Sequence, residues 1–433
     1  MTPEHGLIDW GIVAIFVTVY AGMILGDLPR LKLDRSGVAL LGAISVIGLG
    51  AMSTAQAASA VDLPTVLLLF SFMVVSAQMR LGGFYTAVTR QVAALPLGRN
   101  ALLGALIFVA GALSAVFSND IICLAMTPVV AQLCRQRRLN PVPFLLGLAC
   151  AANIGSAATL IGNPQNMLIG SVLHLPFDGY VRQALPPVVL SLGVLWAWLA
   201  WGPGARASAN RTLPNEPDRS AKNAAGDVVP VELASGYGPL QAPPFDAWQS
   251  AKGLTVATAL LLVFLFTDWP REVAALVGAA VLLLSRRLHS SHVMGFVDWQ
   301  LLVLFMGLFV VNHAFESTGL AAQVVAWLAT QGVQLADPGA LFVAGVGLSN
   351  LVSNVPAVML LLPHLSDQDA GVTLALVSTL AGNLLLVGSI ANLIVADLAQ
   401  KCGVALDWRM HARVGVPVTL LTLGVVWAWL RWL

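Results

Sequence analysis

Apolar runs of membrane-crossing length recur along the whole of this 433-residue chain. They fall at 6–26, 37–54, 64–79, 101–133, 143–173 and 184–202, then at 251–267, 272–288, 299–315, 338–364, 372–399 and 413–433. A bilayer core takes about 20 apolar residues per helical crossing. Backbone surrounded by lipid must satisfy its own hydrogen bonds, and continuous apolar runs do so as helices. Only 10% of the residues are charged, against about 25% in soluble domains, which excludes a water-facing globular surface. The 22 basic and 21 acidic residues nearly cancel, so there is no footprint for nucleic acid. The first run has little positive charge ahead of it and no small-residue cleavage site, and it reads as a span rather than a signal peptide. Cys123, Cys134, Cys150 and Cys402 lie far apart, without metal-ligand spacing, and read as small apolar fillers.

Residues 203–250 break the pattern. The stretch is rich in Pro, Gly, Ala and charge and carries no apolar stripe, which predicts a loosely held linker. It divides the chain into a first membrane half, 1–202, and a second, 251–433. The runs 101–133 and 338–364 carry polar clusters near their middles and are short for two crossings, so each predicts a hairpin that enters and leaves on one side. Irregular backbone at that depth needs protein or a water-filled cavity around it. Five crossings then remain in each half. With the N-terminus outside, 19 of the 22 Lys and Arg fall inside and only Arg182, Arg271 and Arg431 outside, as the positive-inside rule requires. The linker is expected on the cytoplasmic side.

The halves can be laid over each other. Gly42 matches Gly278 and Gly83 matches Gly319, at an offset of 236. Ser118-Asn119 matches Ser353-Asn354, with Pro128 and Pro363 following at equal distance, at 235. Gly162-Asn163-Pro164-Gln165-Asn166 matches Gly388-Ser389-Ile390-Ala391-Asn392, at 226. An odd number of crossings per half turns the second half upside down. Inverted repeats whose broken helices meet at the midplane are the architecture of secondary transporters.

Four segments place polar groups at membrane depth. Two are the hairpin tips, Ser118-Asn119-Asp120 and Ser353-Asn354-Val355-Pro356. Two are broken spans, from Asn153 to Gly170 and from Ala381 to Asp397. Pro164 and Pro356 remove backbone donors, while Gly155, Gly162, Gly382 and Gly388 admit unusual backbone angles. Interrupted helices offer free N–H groups to anions and free carbonyls to cations, and Asn and Ser add neutral donors and acceptors. The alternative use of Ser and Asn is to glue helices together. Asp120 is an intramembrane carboxylate, and a functional residue by default; a proton relay, Na+ binding or capping of the following helix are its three uses. Asn312, His313, Glu316, Asp397 and Arg182 are weaker candidates, read as interfacial. The twelve Trp cluster near span ends as interfacial belts. Neither a nucleotide-binding GxxxxGK[ST] nor an HExxH occurs, so an enzyme is not expected, and neither is a cofactor beyond a coupling ion.

At FSNDIICLAMTPVV, LSNLVSNVPAVMLLLP and ANIGSAATLIGNPQNMLIG the chain resembles the ion transporter superfamily, which holds the arsenite permeases, the NhaD-type sodium–proton antiporters and the divalent anion–sodium symporters. The resemblance covers nearly the whole chain outside the linker. It implies substrate and sodium contacts at Ser118, Asn119, Ser353, Asn354, Gly162 and Gly388, a dimer, and elevator-like movement. In the symporter branch each tip reads Ser-Asn-Thr; here Asp120 and Val355 take the third place. The Asn-Asp tip is closer to the arsenite permease branch, whose substrate is an inorganic oxyacid and whose drive is the proton gradient.

The expected protein is therefore an all-α polytopic membrane protein built of two inverted repeats, each of five transmembrane helices and one re-entrant hairpin. It would sit in the bacterial inner membrane and carry a small anion or inorganic oxyacid, coupled to H+ or Na+ by alternating access. The expected binding residues are Ser118, Asn119, Asp120, Gly162, Asn163, Ser353, Asn354, Gly388 and Ser389. Sites open to Na+ lie at Ser118, Asn119 and Gly162 and at Asn354 and Gly388. A cation–proton antiporter using Asp120 and a passive anion channel are the alternatives. The expected partners are a small anionic solute, the lipid bilayer and a second copy of the chain.

Overall fold

The computed structural model describes residues 3–25, 33–202 and 244–432, apart from 286, 333, 336 and 366. Most of the expected linker, 203–243, lies outside the described residues, as do Arg30, Lys32 and Arg286. The first half is α1 (Pro3–Leu25), α2 (Arg35–Gly48), α3 (Thr54–Ala60), α4 (Leu63–Leu81), α5 (Phe84–Ala94), α6 (Arg99–Val116), α7 (Asn119–Gln136), α8 (Pro141–Ser156), α9 (Pro164–Val172) and α10 (Phe177–Ala200). The second half repeats the order: α11 (Ala247–Phe266), α12 (Arg271–Leu283), α13 (Ser290–Met294), α14 (Trp299–Ser317), α15 (Leu320–Thr330), α16 (Pro338–Val352), α17 (Asn354–Leu361), α18 (Gln368–Ala381), α19 (Ile390–Lys401) and α20 (Trp408–Trp432). Each helix thus has a counterpart ten labels away.

The same local chemistry starts counterpart helices. Asp62 accepts from the Thr65 N–H at 2.8 Å to cap α4, and Asp298 accepts from the Leu301 N–H at 2.9 Å to cap α14. Such caps contribute about 1 kcal/mol each. Gly83 (φ 68°) and Gly319 (φ 72°) enter α5 and α15 in the left-handed region, where a residue without a Cβ adds no clash. Packing is reciprocal as well. Helix α2 lies on α14 and α12 on α4; α6 lies on α8 and α16 on α18; α10 and α20 pack on each other.

Hydrogen bonds between loops sort the helix ends into two sets. At one end Arg135, closing α7, donates to the carbonyl of Cys402, just past α19. Arg137 donates to the carbonyls of Ala93 (2.5 Å) and Leu95 (2.7 Å) at the end of α5. The Asp246 N–H before α11 donates to the Gly82 carbonyl after α4 at 3.0 Å, and Arg80 covers the Phe296 ring ahead of α14 at 4.5 Å. At the other end Arg271, opening α12, donates to Gly170 O in α9 at 2.9 Å. Trp429 of α20 donates to Gln183 O of α10 at 2.9 Å. Helix α4 therefore ends where its counterpart α14 begins, and α9 ends at the opposite side from α19. Counterpart helices run in opposite directions. The first end holds Arg80, Arg135, Arg137 and Lys401; the second holds Arg182, Arg271 and Arg431.

Among the described residues, seven helices are long and apolar enough to cross a membrane. Two of the expected crossings need correction. The spans expected at 37–54 and 272–288 shrink to α2 and α12, of 14 and 13 residues, or roughly 20 Å of helix. Each packs on two longer helices and leaves its other face exposed, with Leu40, Leu41 and Ile44 of α2 and Val273, Val277 and Val281 of α12 turned outward. The stretch after α2 turns at Gly50 (φ 70°) and makes the short α3. The loops expected at 80–100 and beyond 316 contain helices α5 and α15, which sequence reading missed.

Candidate functional site

Both expected hairpins are present. Helices α6 and α7 meet at Phe117-Ser118, and α16 and α17 meet at Ser353. Ser118 and Ser353 occupy the N-cap positions of α7 and α17 but make no side-chain cap bond. Asp120 lies half-buried in the first turn of α7. The tips differ in one respect: Ser118 has ordinary extended backbone, whereas Ser353 sits at φ 77°, ψ 160°, a region otherwise almost confined to glycine.

Both broken spans are broken where expected. Helix α8 stops at Ser156 and α9 starts at Pro164; α18 stops at Ala381 and α19 starts at Ile390, with a single 3-10 turn at Leu386–Gly388 between them. Gly162 and Gly388 are there for close approach. A Cβ on Gly162 would come within 2.3 Å of the Ser156 carbonyl, and one on Gly388 within 3.0 Å of the Gly382 carbonyl. Those pairs are counterparts, since 162 + 226 = 388 and 156 + 226 = 382.

The two breaks reach across to each other in matching bonds. Asn153 Nδ2 donates to Asn392 Oδ1 at 3.1 Å, and its counterpart Thr379 Oγ1 donates to Asn166 Oδ1 at 3.3 Å. Ser389 Oγ donates to Asn153 Oδ1 at 3.0 Å, and Asn163 Nδ2 donates to Thr379 Oγ1 at 3.3 Å. Asn392 Nδ2 donates to Leu385 O at 3.3 Å, and Asn166 Nδ2 to Thr159 O at 3.0 Å. Residues 153, 159, 163 and 166 become 379, 385, 389 and 392 on adding 226, so the first two pairs of bonds cross between the halves reciprocally and the third pair repeats the same bond within each half.

The network fixes which way its amides face. Asn392 Nδ2 is held by the carbonyls of Gly382 (2.9 Å) and Leu385, and Asn383 Nδ2 by that of Cys150 (3.3 Å). Carbonyls only accept, so both Oδ1 atoms turn to Asn153 Nδ2, at 3.1 and 2.8 Å. Asn153 Oδ1 then faces the donors Ser389 Oγ and Asn119 Nδ2, each at 3.0 Å. Asn119 Oδ1 is left over, buried and without a partner. At the other tip Asn354 packs its Nδ2 against Gly382, 2.9 Å from where a Cβ would stand, and its Oδ1 is likewise buried and unpartnered. A buried acceptor with no donor costs about 1–3 kcal/mol, and here one stands at each hairpin tip.

Of the nine expected residues, Asn119, Ser389, Gly388 and Asn354 come together around Asn153, Gly382 and Asn392. Ser118, Asp120 and Ser353 flank the tips. Asn163 has both ends of its amide engaged: Oδ1 caps α9 through the Asn166 N–H at 2.9 Å, and Nδ2 donates to Ser156 Oγ at 3.0 Å and to Thr379. Gly162 packs against backbone. Sequence reading missed Asn153 as the hub, together with Asn383, Thr379 and the buried His411, whose Nε2 meets Asn383 O at 3.0 Å. Asn153 heads the first broken-span motif, but its counterpart is Thr379, so matching identical letters passed over it. Of the weaker candidates, Asp397 pairs with Lys401 at 2.7 Å and Arg182 with Asp178 at 3.3 Å, both one helical turn apart. A cavity of about 740 Å³ lies away from the tips, between the turns before α10 and α12, with Asp178, Asp268, Arg271 and Glu272 in its walls.

A family model described as citrate transporter, CitMHS, matches residues 12–372. The silicon efflux transporter LSI3 of Oryza sativa subsp. japonica is 29% identical, over 92% of this chain and 93% of that protein. A putative transporter arsB of Dictyostelium discoideum is 23% identical, over 97% and 91%. Among solved structures, the YdaH transporter of Alcanivorax borkumensis matches with a TM-score of 0.58 and 14% identity, covering 98% of this chain and 97% of that one.

Proposed function

Because the chain belongs to the CitMHS citrate transporter family, a multi-pass membrane transporter family, we propose that it is a secondary active carrier of a small inorganic oxyacid or anion, coupled to H+ or Na+ by alternating access. The observation that carries this reading is the pair Asn119 Oδ1 and Asn354 Oδ1. They sit on counterpart hairpin tips, are buried, and lack donors.

Acceptors held in place call for a ligand that brings donors or positive charge. The hydroxyls of a protonated oxyacid meet that demand, and so does a dehydrated Na+. Ser118 and the opened backbone around Gly388 add donors for an oxyanion, while the Ser389 hydroxyl is engaged with Asn153 Oδ1. Gly162 and Asn163 keep the first break in shape. Asp120, at the head of α7, is the group we assign to proton coupling. With the arginine-rich end in the cytoplasm, hairpin α6–α7 enters from inside and hairpin α16–α17 from outside. Opposed hairpins over one asparagine cluster suit a solute pocket that is open to one side at a time.

A name that cites silicon efflux, borne by a relative matching nearly end to end, favours an oxyacid over a tricarboxylate as the cargo. A cation–proton antiporter through Asp120 is the second reading, favoured by the same acceptor pair. The test is flux in proteoliposomes with silicate, arsenite and citrate, each with and without imposed H+ and Na+ gradients. Accumulation of an oxyacid against its gradient supports the carrier. Ion-driven Na+ flux with no oxyacid movement supports the antiporter, and downhill oxyacid movement that no gradient can drive supports a channel.

A further inference from the structure

A cavity of about 270 Å³ opens beside hairpin α16–α17, outside the asparagine cluster. Its walls come from both halves: Leu168 and Val172 of α9, Met359 of α17, and Asn312, His313 and Glu316 of α14. Asn312 is only 7% exposed. Tyr20 of α1 donates its hydroxyl to Asn312 Oδ1 at 2.9 Å and lies 3.4 Å from the carbonyl of Pro356, two residues past Asn354. Asn312 Nδ2 is buried and has no partner. Turning the amide over would let Nδ2 donate to the Tyr20 oxygen and would strand Oδ1 instead. In either orientation one buried polar atom of Asn312 is left without a protein partner.

The counterpart position in the first half is closed. Asn312 matches Ser76, since 312 − 236 = 76, and there α5 packs across both α4 and α7. Tyr85 of α5 is buried edge-on against Phe117 at the tip of hairpin α6–α7, ring centres 5.6 Å apart. Helix α15, the counterpart of α5, has no buried residue. The cavity beside Asn312 therefore stands open at one end of the molecule while its counterpart at the other end is covered.

We propose that this cavity is an entry subsite, in which a hydroxyl-bearing oxyacid binds to Asn312 before hairpin α16–α17 admits it to the asparagine cluster. The proposal rests on the oxyacid-carrier reading. A hydroxyl both donates and accepts, so it satisfies Asn312 whichever way the amide lies. Glu316 at the rim accepts a second hydroxyl and repels a multiply charged anion. His313 beside it serves either as donor or as acceptor. Tyr20 acts as a positioning residue, since it touches Asn312 and the hairpin rather than the cavity.

Two measurements on the full-length protein in proteoliposomes test the subsite. In the first, Asn312→Leu is compared with the unaltered chain in silicate and arsenite transport. The expected result is a KM about tenfold higher at nearly unchanged kcat, the mark of lost ground-state binding. In the second, Val172→Cys in a Cys402→Ser background is modified by a membrane-impermeant thiol reagent, and silicate or arsenite slows the modification several-fold. This second measurement stands even where Asn312→Leu fails to insert. Transport by the unaltered chain combined with an unchanged KM in Asn312→Leu, or with no protection of Val172→Cys, overturns the subsite and leaves the carrier standing. Absence of both transport and protection with either probe overturns the subsite and the carrier together.

Discussion

Asn119 donates its amide N–H to Asn153 Oδ1 at 3.0 Å, which ties the first hairpin tip to α8 of its own half, and Asn153 is in turn oriented by Asn383 and Asn392 of the second half's broken span. Asn153 uses both donors and both acceptor positions on partners in other elements. Replacing it with Asp turns an oxygen toward Asn383 Oδ1 and Asn392 Oδ1, which cannot donate while their amides are held by backbone carbonyls. Each oxygen left unsatisfied costs about 1–3 kcal/mol. Asn153→Asp is therefore expected to lower the thermal unfolding midpoint in detergent and to abolish transport. Unaltered flux would show that Asn119 needs no such support.

The tips themselves are tested by Asn119→Ala and Asn354→Ala. Each removes one of the two unpartnered oxygens, and each is expected to abolish flux while the protein still inserts and elutes as a folded species. Asn354→Ala breaks no side-chain hydrogen bond among the described residues and is expected to keep its stability, whereas Asn119→Ala also loses the bond to Asn153 Oδ1 and is expected to lose about 1 kcal/mol. Two stable variants that transport at the normal rate would remove both residues from the site.

Asp120 separates proton coupling from helix capping. A carboxylate in the first turn of α7 favours the helix through the dipole alone by about 0.3–1 kcal/mol, and Asn at that place keeps much of the local hydrogen bonding. If the carboxyl carries the coupled proton, Asp120→Asn flattens the dependence of flux on external pH and uncouples transport from an imposed H+ gradient. A pH profile of unchanged shape, with a small loss of stability, would assign Asp120 to the helix terminus.

Much of this was legible in the sequence because membranes narrow the choices. The hairpins at 101–133 and 338–364, the breaks near Gly162 and Gly388 and the repeat offsets all follow from where polar residues interrupt apolar runs. Helices α5 and α15 were not legible: FYTAVTRQVAA and LAAQVVAWLAT are too short to cross and look like loop or span margin. Nor were the short lengths of α2 and α12, since hydropathy alone does not mark where an apolar run leaves the helix. Asn153 escaped because repeat partners conserve a hydrogen-bonding role through different letters. Its donor to Asn392 is matched by the hydroxyl of Thr379, an equivalence visible only once the bonds are in place.

Ser353 is the one strained residue at a tip. At φ 77°, ψ 160° a side chain costs about 1–3 kcal/mol, and the hairpin holds it there between α16 and α17. Ser353→Gly removes that strain and is expected to raise the unfolding midpoint by a few degrees; Ser353→Ala keeps the strain and is expected to leave it unchanged. Transport then decides the role of the hydroxyl. Loss in both variants assigns the Oγ to the ligand. Loss in Ser353→Gly alone means that the strained backbone, rather than the hydroxyl, is what the hairpin uses.

The contact between α8 and the first hairpin leaves no room for a methyl group. A Cβ on Gly155 would lie 2.2 Å from the Gly111 carbonyl oxygen and 2.3 Å from its Cα, both backbone atoms that cannot rotate away. Gly155→Ala must push α6 from α8, and with it the Ser118 tip that α6 carries. Overpacking of this kind costs about 1–3 kcal/mol or more, so a clear drop in unfolding midpoint is expected, together with loss of transport. Gly347 in the exposed face of α16 is the control, since a Cβ there meets nothing within 4 Å. Gly347→Ala is expected to hold or slightly raise stability, by up to about 1 kcal/mol from helix propensity, with flux retained. Equal tolerance of both substitutions would mean that α6 and α8 do not approach as closely in the membrane as their glycines allow.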